Sequence, residues 1–471
     1  MNANSTQNRQ RWLALLVLCL GVLMIVLDTT IVNVALPSIK TDLKFSETSL
    51  VWVVNAYMLT FGGFLLLGGR LGDLYGHRKL FLLGIILFTV ASLACGLANS
   101  QWLLIDARAV QGLGGAVVSA VALSLIMNLF TEPAERAKAM GVYGFVCAGG
   151  GSVGVLLGGL LTSTLSWHWI FLVNLPIGIV VYMLSLRLLP DSQGHAAGEK
   201  LDVAGAVTIT TALMLAVYAI VNGNEIGWLS TQTMLMLGTA AVLLGVFLAL
   251  QSRVEHPLMP LGLFRSRNVS VANVVAVLWA AAMFAWFFIS ALYMQLVLNY
   301  TPMQVGLAFL PANLIMAAFS LGWSAKLVMM WGNKLPLACG LLLAAIGLAW
   351  FGRAPFAGQF VADVLPGMVL LGLGAGIAFN PMLLVAMSDV EPNQSGLAFG
   401  VVNTAFMMGG ALGLAVLASI AAAVTTSQTG QVVDANQVTQ ALNAGYQSAF
   451  NVGAAFAMVA GIISFILLRN K

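Results

Sequence analysis

Charge is what this chain has least of. Asp, Glu, Lys and Arg together make up 8% of its 471 residues, whereas 60% are hydrophobic, a balance that no water-soluble domain sustains. Histidine is also scarce: His77, His168, His195 and His256 fall in or beside predicted loops and form no metal-ligand cluster. The cysteines are Cys19, Cys95, Cys147 and Cys339. Each lies in an apolar run without paired ligand spacing, so they read as small core residues. There is no Gly-x4-Gly-Lys-Ser/Thr loop, which excludes an ATP-driven pump built on this chain alone. Acid pairs such as Asp389 and Glu391 are loop charges, which argues against a membrane enzyme, and no connector can hold the soluble output domain of a sensor. Neither a metal nor a cofactor is expected.

The hydrophobic residues fall into fourteen runs, near 12–39, 50–71, 79–98, 102–130, 140–164, 169–189, 203–222, 231–250, 269–298, 304–329, 335–352, 362–387, 396–424 and 446–468. About 18 to 28 apolar residues suffice to cross roughly 30 Å of hydrocarbon as a helix, whereas strand barrels use short alternating segments. An all-α polytopic membrane protein is therefore expected. An even number of crossings puts both termini on one side. If that side is the cytoplasm, sixteen of the 20 Lys and Arg lie inside, Lys40, Lys44 and Arg353 lie outside, and Arg108 is within a helix. This bias predicts cytoplasmic termini. The basic residues thus mark membrane boundaries, and the net charge of +4 implies no nucleic-acid partner. Met1 to Arg11 is polar and basic, but the run after it is too long for a cleaved signal and reads as a retained helix. The stretch at 425–445, rich in Gln, Asn, Thr and Ser, reads as a solvated outer connector.

Within the first run stands Asp28, in Leu27-Asp-Thr-Thr-Ile-Val-Asn-Val-Ala-Leu-Pro37. A charge at the centre of a membrane helix costs at least roughly 2.5 to 3.5 kcal/mol, so it is expected to face a wet cavity or a partner. The fourth run carries Arg108 and Gln111, three apart and on one face, continued by Gly112, Gly114 and Gly115. Asp106 is a possible partner of Arg108, but a position near the outer surface is preferred. Other polar groups inside the runs are candidate lining for a substrate cavity: Asn33, Asn55, Tyr57 and Tyr143 in the first half, and Trp286, Tyr293, Asn313 and Asn403 in the second. Helix-to-helix bonding is the commoner use of such side chains.

Three motifs carry a resemblance. Gly69-Arg-Leu-Gly-Asp73-Leu-Tyr-Gly76-His-Arg78-Lys79 is a tight turn between the second and third runs. Gly141, Gly150, Gly154, Gly158 and Gly159 mark one stretch of the fifth. Ser166-Trp-His-Trp-Ile-Phe-Leu-Val-Asn174-Leu-Pro176-Ile-Gly178 leads into the sixth. With the segment around Asp28, these strings resemble the major facilitator superfamily, in particular its fourteen-helix drug:proton antiporter branch. The likeness is strong over residues 12–190 and weaker beyond. It implies that Gly69, Asp73, Gly76, Arg78 and Lys79 form a cytoplasmic gate and that Asp28 and Arg108 couple transport to protons. It further implies that Gly150, Gly154, Gly158 and Gly159 belong to an antiporter helix. Where the family has a proline after the third glycine, this chain has Val155.

An internal repeat agrees with that fold. Ala325 to Lys334 aligns with Gly69 to Arg78, and Leu371-Gly-Leu-Gly-Ala-Gly376 echoes Gln111-Gly-Leu-Gly-Gly-Ala116, but Met329 replaces Asp73 and Met368 replaces Arg108. The expected division is a six-helix bundle at 1–190, a two-helix insertion with linkers at 191–268, and a second six-helix bundle at 269–471. The resemblance implies a proton-coupled antiporter, expected as a monomer in a bacterial inner membrane, that exports drugs or small amphipathic compounds. With one acid inside the membrane, monocationic, neutral or anionic compounds are accommodated more easily than dications. A specific exporter or importer of a small metabolite or organic anion is the alternative.

Overall fold

The computed structural model describes residues 2–190, 201–390, 395–429 and 434–469. Most of the linker at 190–202, with His195 and Lys200, lies outside those residues, as do Glu391, Lys471 and part of the 425–445 connector. Among the described residues there are helices and no strands. Thirteen helices are long and apolar enough to cross a membrane: α1 (Arg9–Leu43), α2 (Ser49–Tyr75), α3 (His77–Gly96), α4 (Gln101–Leu129), α5 (Lys138–Thr164), α6 (Trp169–Leu188), α7 (Val203–Ile226), α8 (Thr231–Arg253), α9 (Arg267–Val297), α11 (Lys334–Phe351), α12 (Phe360–Met387), α13 (Leu397–Thr429) and α14 (Asn436–Leu467). The fourteenth, α10, begins as Pro302–Ala318 and continues through a π-turn at Phe319–Trp323 into Ser324–Trp331. Each of the fourteen predicted crossings is thus met by a helix.

Local chemistry sets the ends. The Ser100 hydroxyl accepts from Leu103 N at the start of α4. Thr301 and Gln304 form a reciprocal capping box at the start of α10, with Pro302 in its first turn, where a missing N–H costs nothing. Gly76, between α2 and α3, and Gly332, between α10 and α11, both have positive φ, +95° and +72°. These are the aligned turns of the sequence repeat, and glycine adopts that backbone without strain.

The repeat recurs in packing. α4 packs on α2 and α3, α1 on α5, α9 on α13, and α11 on α12 and α14. A Cβ on Gly114 of α4 would stand 2.7 Å from Phe88 N and 3.1 Å from Gly84 O of α3. Its counterpart on Gly374 of α12 would stand 2.6 Å from Gly340 O and 2.7 Å from Ala344 N of α11. Both contacts are backbone against backbone, so no side chain can yield. Gly374→Val is accordingly expected to destabilise the fold by about 1–3 kcal/mol or more, read as a lowered melting midpoint of the detergent-purified protein.

The two sets of helices meet through α5 on α10 and α2 on α13, while the α7–α8 hairpin docks by α7 onto both α2 and α13. There Asn224 Nδ2 donates to Ser419 O at 2.7 Å. On the face of the bundle opposite the termini (the far face), Gln295 Nε2 donates to Val34 O at 2.9 Å and Met303 N to Ser163 Oγ at 3.1 Å. Towards the termini, by contrast, a Cβ on Gly141 or Gly144 of α5 would meet nothing within 4 Å. Cys19 and Cys95 are buried as expected, whereas Cys339 is exposed on the outer side of α11. The apolar periodicity of that helix does not tell a lipid-facing position from a core one.

Candidate functional site

Asp28 of α1 and Arg108 of α4 face each other, and both are buried, at 0% and 1% exposure. Arg108 Nη1 donates to Asp28 Oδ2 at 2.5 Å. The other carboxylate oxygen, Oδ1, accepts from Gln111 Nε2 at 2.7 Å and from Asn174 Nδ2 of α6 at 3.0 Å. Arg108 also donates through Nη1 to Gln111 Oε1 at 2.7 Å and through Nε to Val53 O of α2 at 2.9 Å. Its guanidinium carbon lies 4.4 Å from the centre of the Tyr57 ring, a cation–π contact. From α3, the Ser92 hydroxyl accepts from Gln111 Nε2 at 2.8 Å, and Cys95 Sγ is 3.7 Å from Gln111 Oε1. Five helices therefore hold one neutral pair of opposite charges with both carboxylate oxygens occupied. That satisfaction makes the burial tolerable, since removing either partner of such a pair costs about 3–5 kcal/mol.

The sequence-predicted residues divide into several groups. Asp28, Arg108, Gln111 and Tyr57 come together inside the first set of helices, all four buried. Of the wet cavity or partner expected for Asp28, this conformation shows the partner. Asp106 is exposed and is not the partner of Arg108. Asn55 Nδ2 donates to Ala411 O of α13 at 3.0 Å, a bond between the two halves. Asn33 bonds within its own helix, to Thr29 O at 3.2 Å. Tyr143 sits beside Cys147 on α5, and Tyr293 donates to Pro355 O at 2.9 Å. Trp286 and Asn313 are buried, and Asn403 is half-buried on α13. A cleft of about 560 Å³ opens at the far face between α1, α9 and the start of α10, lined by Pro37, Thr41, Asp42, Gln295 and Tyr300 among others. Gln295 is a polar group inside the ninth apolar run and so a sequence candidate for cavity lining, whereas Asn33, Asn55, Tyr57, Gln111, Tyr143, Trp286, Tyr293, Asn313 and Asn403 do not line this cleft.

In the gate turn, Asp73 Oδ1 lies 3.2 Å from His77 Nε2, and Arg78 Nη2 donates to Leu186 O at 2.5 Å, tying α3 to α6. Lys79 and Asp73 are exposed, Gly69 is half-buried, and Gly76 supplies the bend. The α5 glycines form a seat for α1. A Cβ on Gly150 would lie 2.9 Å from Leu23 and Val26 side-chain carbons, on Gly154 3.0 Å from Leu27 O, and on Gly158 2.7 Å from Ile31 O. Gly159 faces α10 instead, 2.8 Å from Pro302 O. Val155, in place of the family proline, is buried, and its carbonyl stands 3.0 Å from where Gly306 would carry a Cβ. The Arg108 position of the second half holds buried Met368.

Sequence reasoning assigned no role to Ser92. A hydroxyl in an apolar helix commonly bonds its own backbone and stands out in no pattern. Asn174 lay inside a recognised string, yet nothing there tied it to Asp28.

Repeated helix sets meeting along a seam, with ionisable groups paired in one of them, define a multi-pass membrane transporter. The chain belongs to the Major Facilitator Superfamily, which it matches over residues 18–414. It is 37% identical to the puromycin resistance protein pur8 of Streptomyces alboniger over 468 residues, 98% of this chain and 92% of that one. It is 36% identical to the cephamycin export protein CmcT of Amycolatopsis lactamdurans, across 89% and 87% of the two chains. The multidrug resistance protein Stp of Mycobacterium tuberculosis (strain CDC 1551 / Oshkosh) is 37% identical, across 88% and 77%. The fold is that of a bacterial homolog of the human lysosomal transporter Spinster in an inward-facing, occupied conformation: TM-score 0.68, 15% identity, covering 97% of this chain and 96% of that one.

Proposed function

We propose that this protein is a proton-coupled antiporter that exports drugs or other small amphipathic compounds across the bacterial inner membrane, as a monomer with both termini in the cytoplasm. Support comes first from relatives named for puromycin resistance, cephamycin export and multidrug resistance. The observation that carries the coupling is the Asp28–Arg108 pair, buried where α1 crosses α4 and saturated with hydrogen bonds.

A proton delivered to Asp28 cancels the carboxylate and leaves the Arg108 charge without its counter-ion in a low-dielectric setting. The state with the pair intact is then disfavoured by several kcal/mol, and a state that hydrates or re-partners Arg108 gains. Because α1 is seated on the α5 glycines and α5 on α10, a shift of α1 against α4 passes to the seam. The 1–190 and 269–471 bundles rock, and the 191–268 insertion follows through α7. Asp73, Arg78 and Lys79 close the cytoplasmic side when the transporter opens outward, and release of the proton inward resets the pair.

The test is transport in proteoliposomes under an imposed pH gradient, with ethidium as substrate. Accumulation driven by the gradient and collapsed by a protonophore is expected. Ethidium movement indifferent to the gradient would mean a facilitator and would remove the coupling role of Asp28.

A further inference from the structure

Among the hydrogen-bond donors of the second half that are buried without an acceptor, Trp286 Nε1 and Asn313 Nδ2 stand on adjacent helices. Trp286 of α9 is 3% exposed and Asn313 of α10 is 2% exposed. Among the described residues, neither Trp286 Nε1 nor Asn313 Nδ2 has a partner. A buried N–H left unbonded costs about 1–3 kcal/mol, so a pair of them in one place calls for a group that completes them.

They do share a place. The Trp286 ring lies 5.7 Å from the Phe309 ring of α10 at 70°, and Phe287 stacks on Phe309 at 5.5 Å and 28°. Asn313 follows Phe309 by one turn and so shares its face. Trp286 lies eleven residues from the far-face end of α9, and Asn313 eleven from the far-face start of α10. At 1.5 Å per residue both are roughly 16 Å deep, near the middle of the membrane. No charged residue occurs in α9 between Arg267 and Val297, or in α10 between Pro302 and Trp323.

We infer that Trp286 and Asn313 form a substrate subsite for uncharged aromatic compounds bearing a carbonyl or other acceptor oxygen. The three rings take the flat apolar body, and the indole N–H and amide N–H2 bind the oxygen. The indole N–H can only donate, and no carboxylate lies on these segments, so the subsite selects an acceptor and offers a cation no charge. This inference rests on the exporter reading above, since it assumes that α9 and α10 line the substrate path.

The experiment compares two fluorescent probes by equilibrium binding to the purified protein: Nile red, a neutral polycycle with a ring carbonyl, and ethidium, an aromatic monocation without oxygen. Trp286→Phe keeps a ring and removes the N–H; Asn313→Leu keeps the volume and removes the amide. Each is expected to weaken Nile red binding about tenfold, the worth of one lost hydrogen bond, with ethidium binding changed less than twofold. The unchanged ethidium affinity also reports that each variant is folded, and a variant binding neither probe is set aside in favour of the other. Equal losses for both probes in both variants, no loss in either, or no Nile red binding by the unaltered protein would overturn the subsite. Failure of the exporter reading would register separately, as loss of gradient-driven ethidium transport by the unaltered protein.

Discussion

Asp28→Asn is expected to reduce gradient-driven export to the level seen with a protonophore while the protein still folds and inserts. Asparagine keeps an oxygen that can accept from Gln111 and Asn174, so most of the network survives. What it cannot do is neutralise Arg108 or alternate between charged and neutral forms. The stranded guanidinium retains Val53 O, Gln111 Oε1 and the Tyr57 ring, and the cost is bounded by about 3–5 kcal/mol for breaking a buried pair. Asp28→Asn combined with Arg108→Gln removes both charges, and thermal melting should show stability recovered relative to either single variant. Transport in proteoliposomes should remain absent. Export by the double variant at the unaltered rate would place coupling elsewhere in the chain.

The second large effect concerns the α5 seat. In Gly154→Val the new side chain meets Leu27 O and the Thr30 side chain, one residue before and two residues after Asp28 on α1. Thr30 already bonds Val26 O and Leu27 O and has nowhere to turn. Either α5 lifts off α1 or α1 shifts and carries Asp28 away from Arg108. A loss of about 1–3 kcal/mol in stability is expected, together with export lowered far more than melting alone accounts for. Gly238→Val on α8 is the control, because a Cβ there meets nothing within 4 Å. It should leave both readouts close to those of the unaltered protein. Equal effects of the two substitutions would mean that glycine content, not the α1–α5 contact, matters.

The crossings were legible because fourteen apolar runs of membrane length allow no other arrangement, and the repeated glycines of α4 and α12 foretold two related close contacts. Asp28 was legible by the cost of placing it in a membrane helix, and Arg108 with Gln111 by that cost and their shared face. The meeting of Asp28 with that face was not. Asp28 and Arg108 are 80 residues apart, and only the register of α1 against α4 joins them. The same holds for Asn55, whose bond to a backbone carbonyl of α13 depends on where two remote helices touch. Tyr57 reads as cavity lining by polarity alone, yet its ring serves Arg108. No pattern in the chain places α7 against α2 and α13 either, because its polar residues are few and its apolar ones face both lipid and protein.

The most direct measurement is the proton count on substrate binding. In weakly buffered detergent solution with a pH-indicator dye, at a starting pH low enough for Asp28 to carry its proton, ethidium added to the unaltered protein should release protons, since drug-bound and Asp28-protonated states compete, and Asp28→Asn should release none. Equal release from both proteins would show that the displaced proton comes from another group and that the buried Asp28–Arg108 pair is structural only.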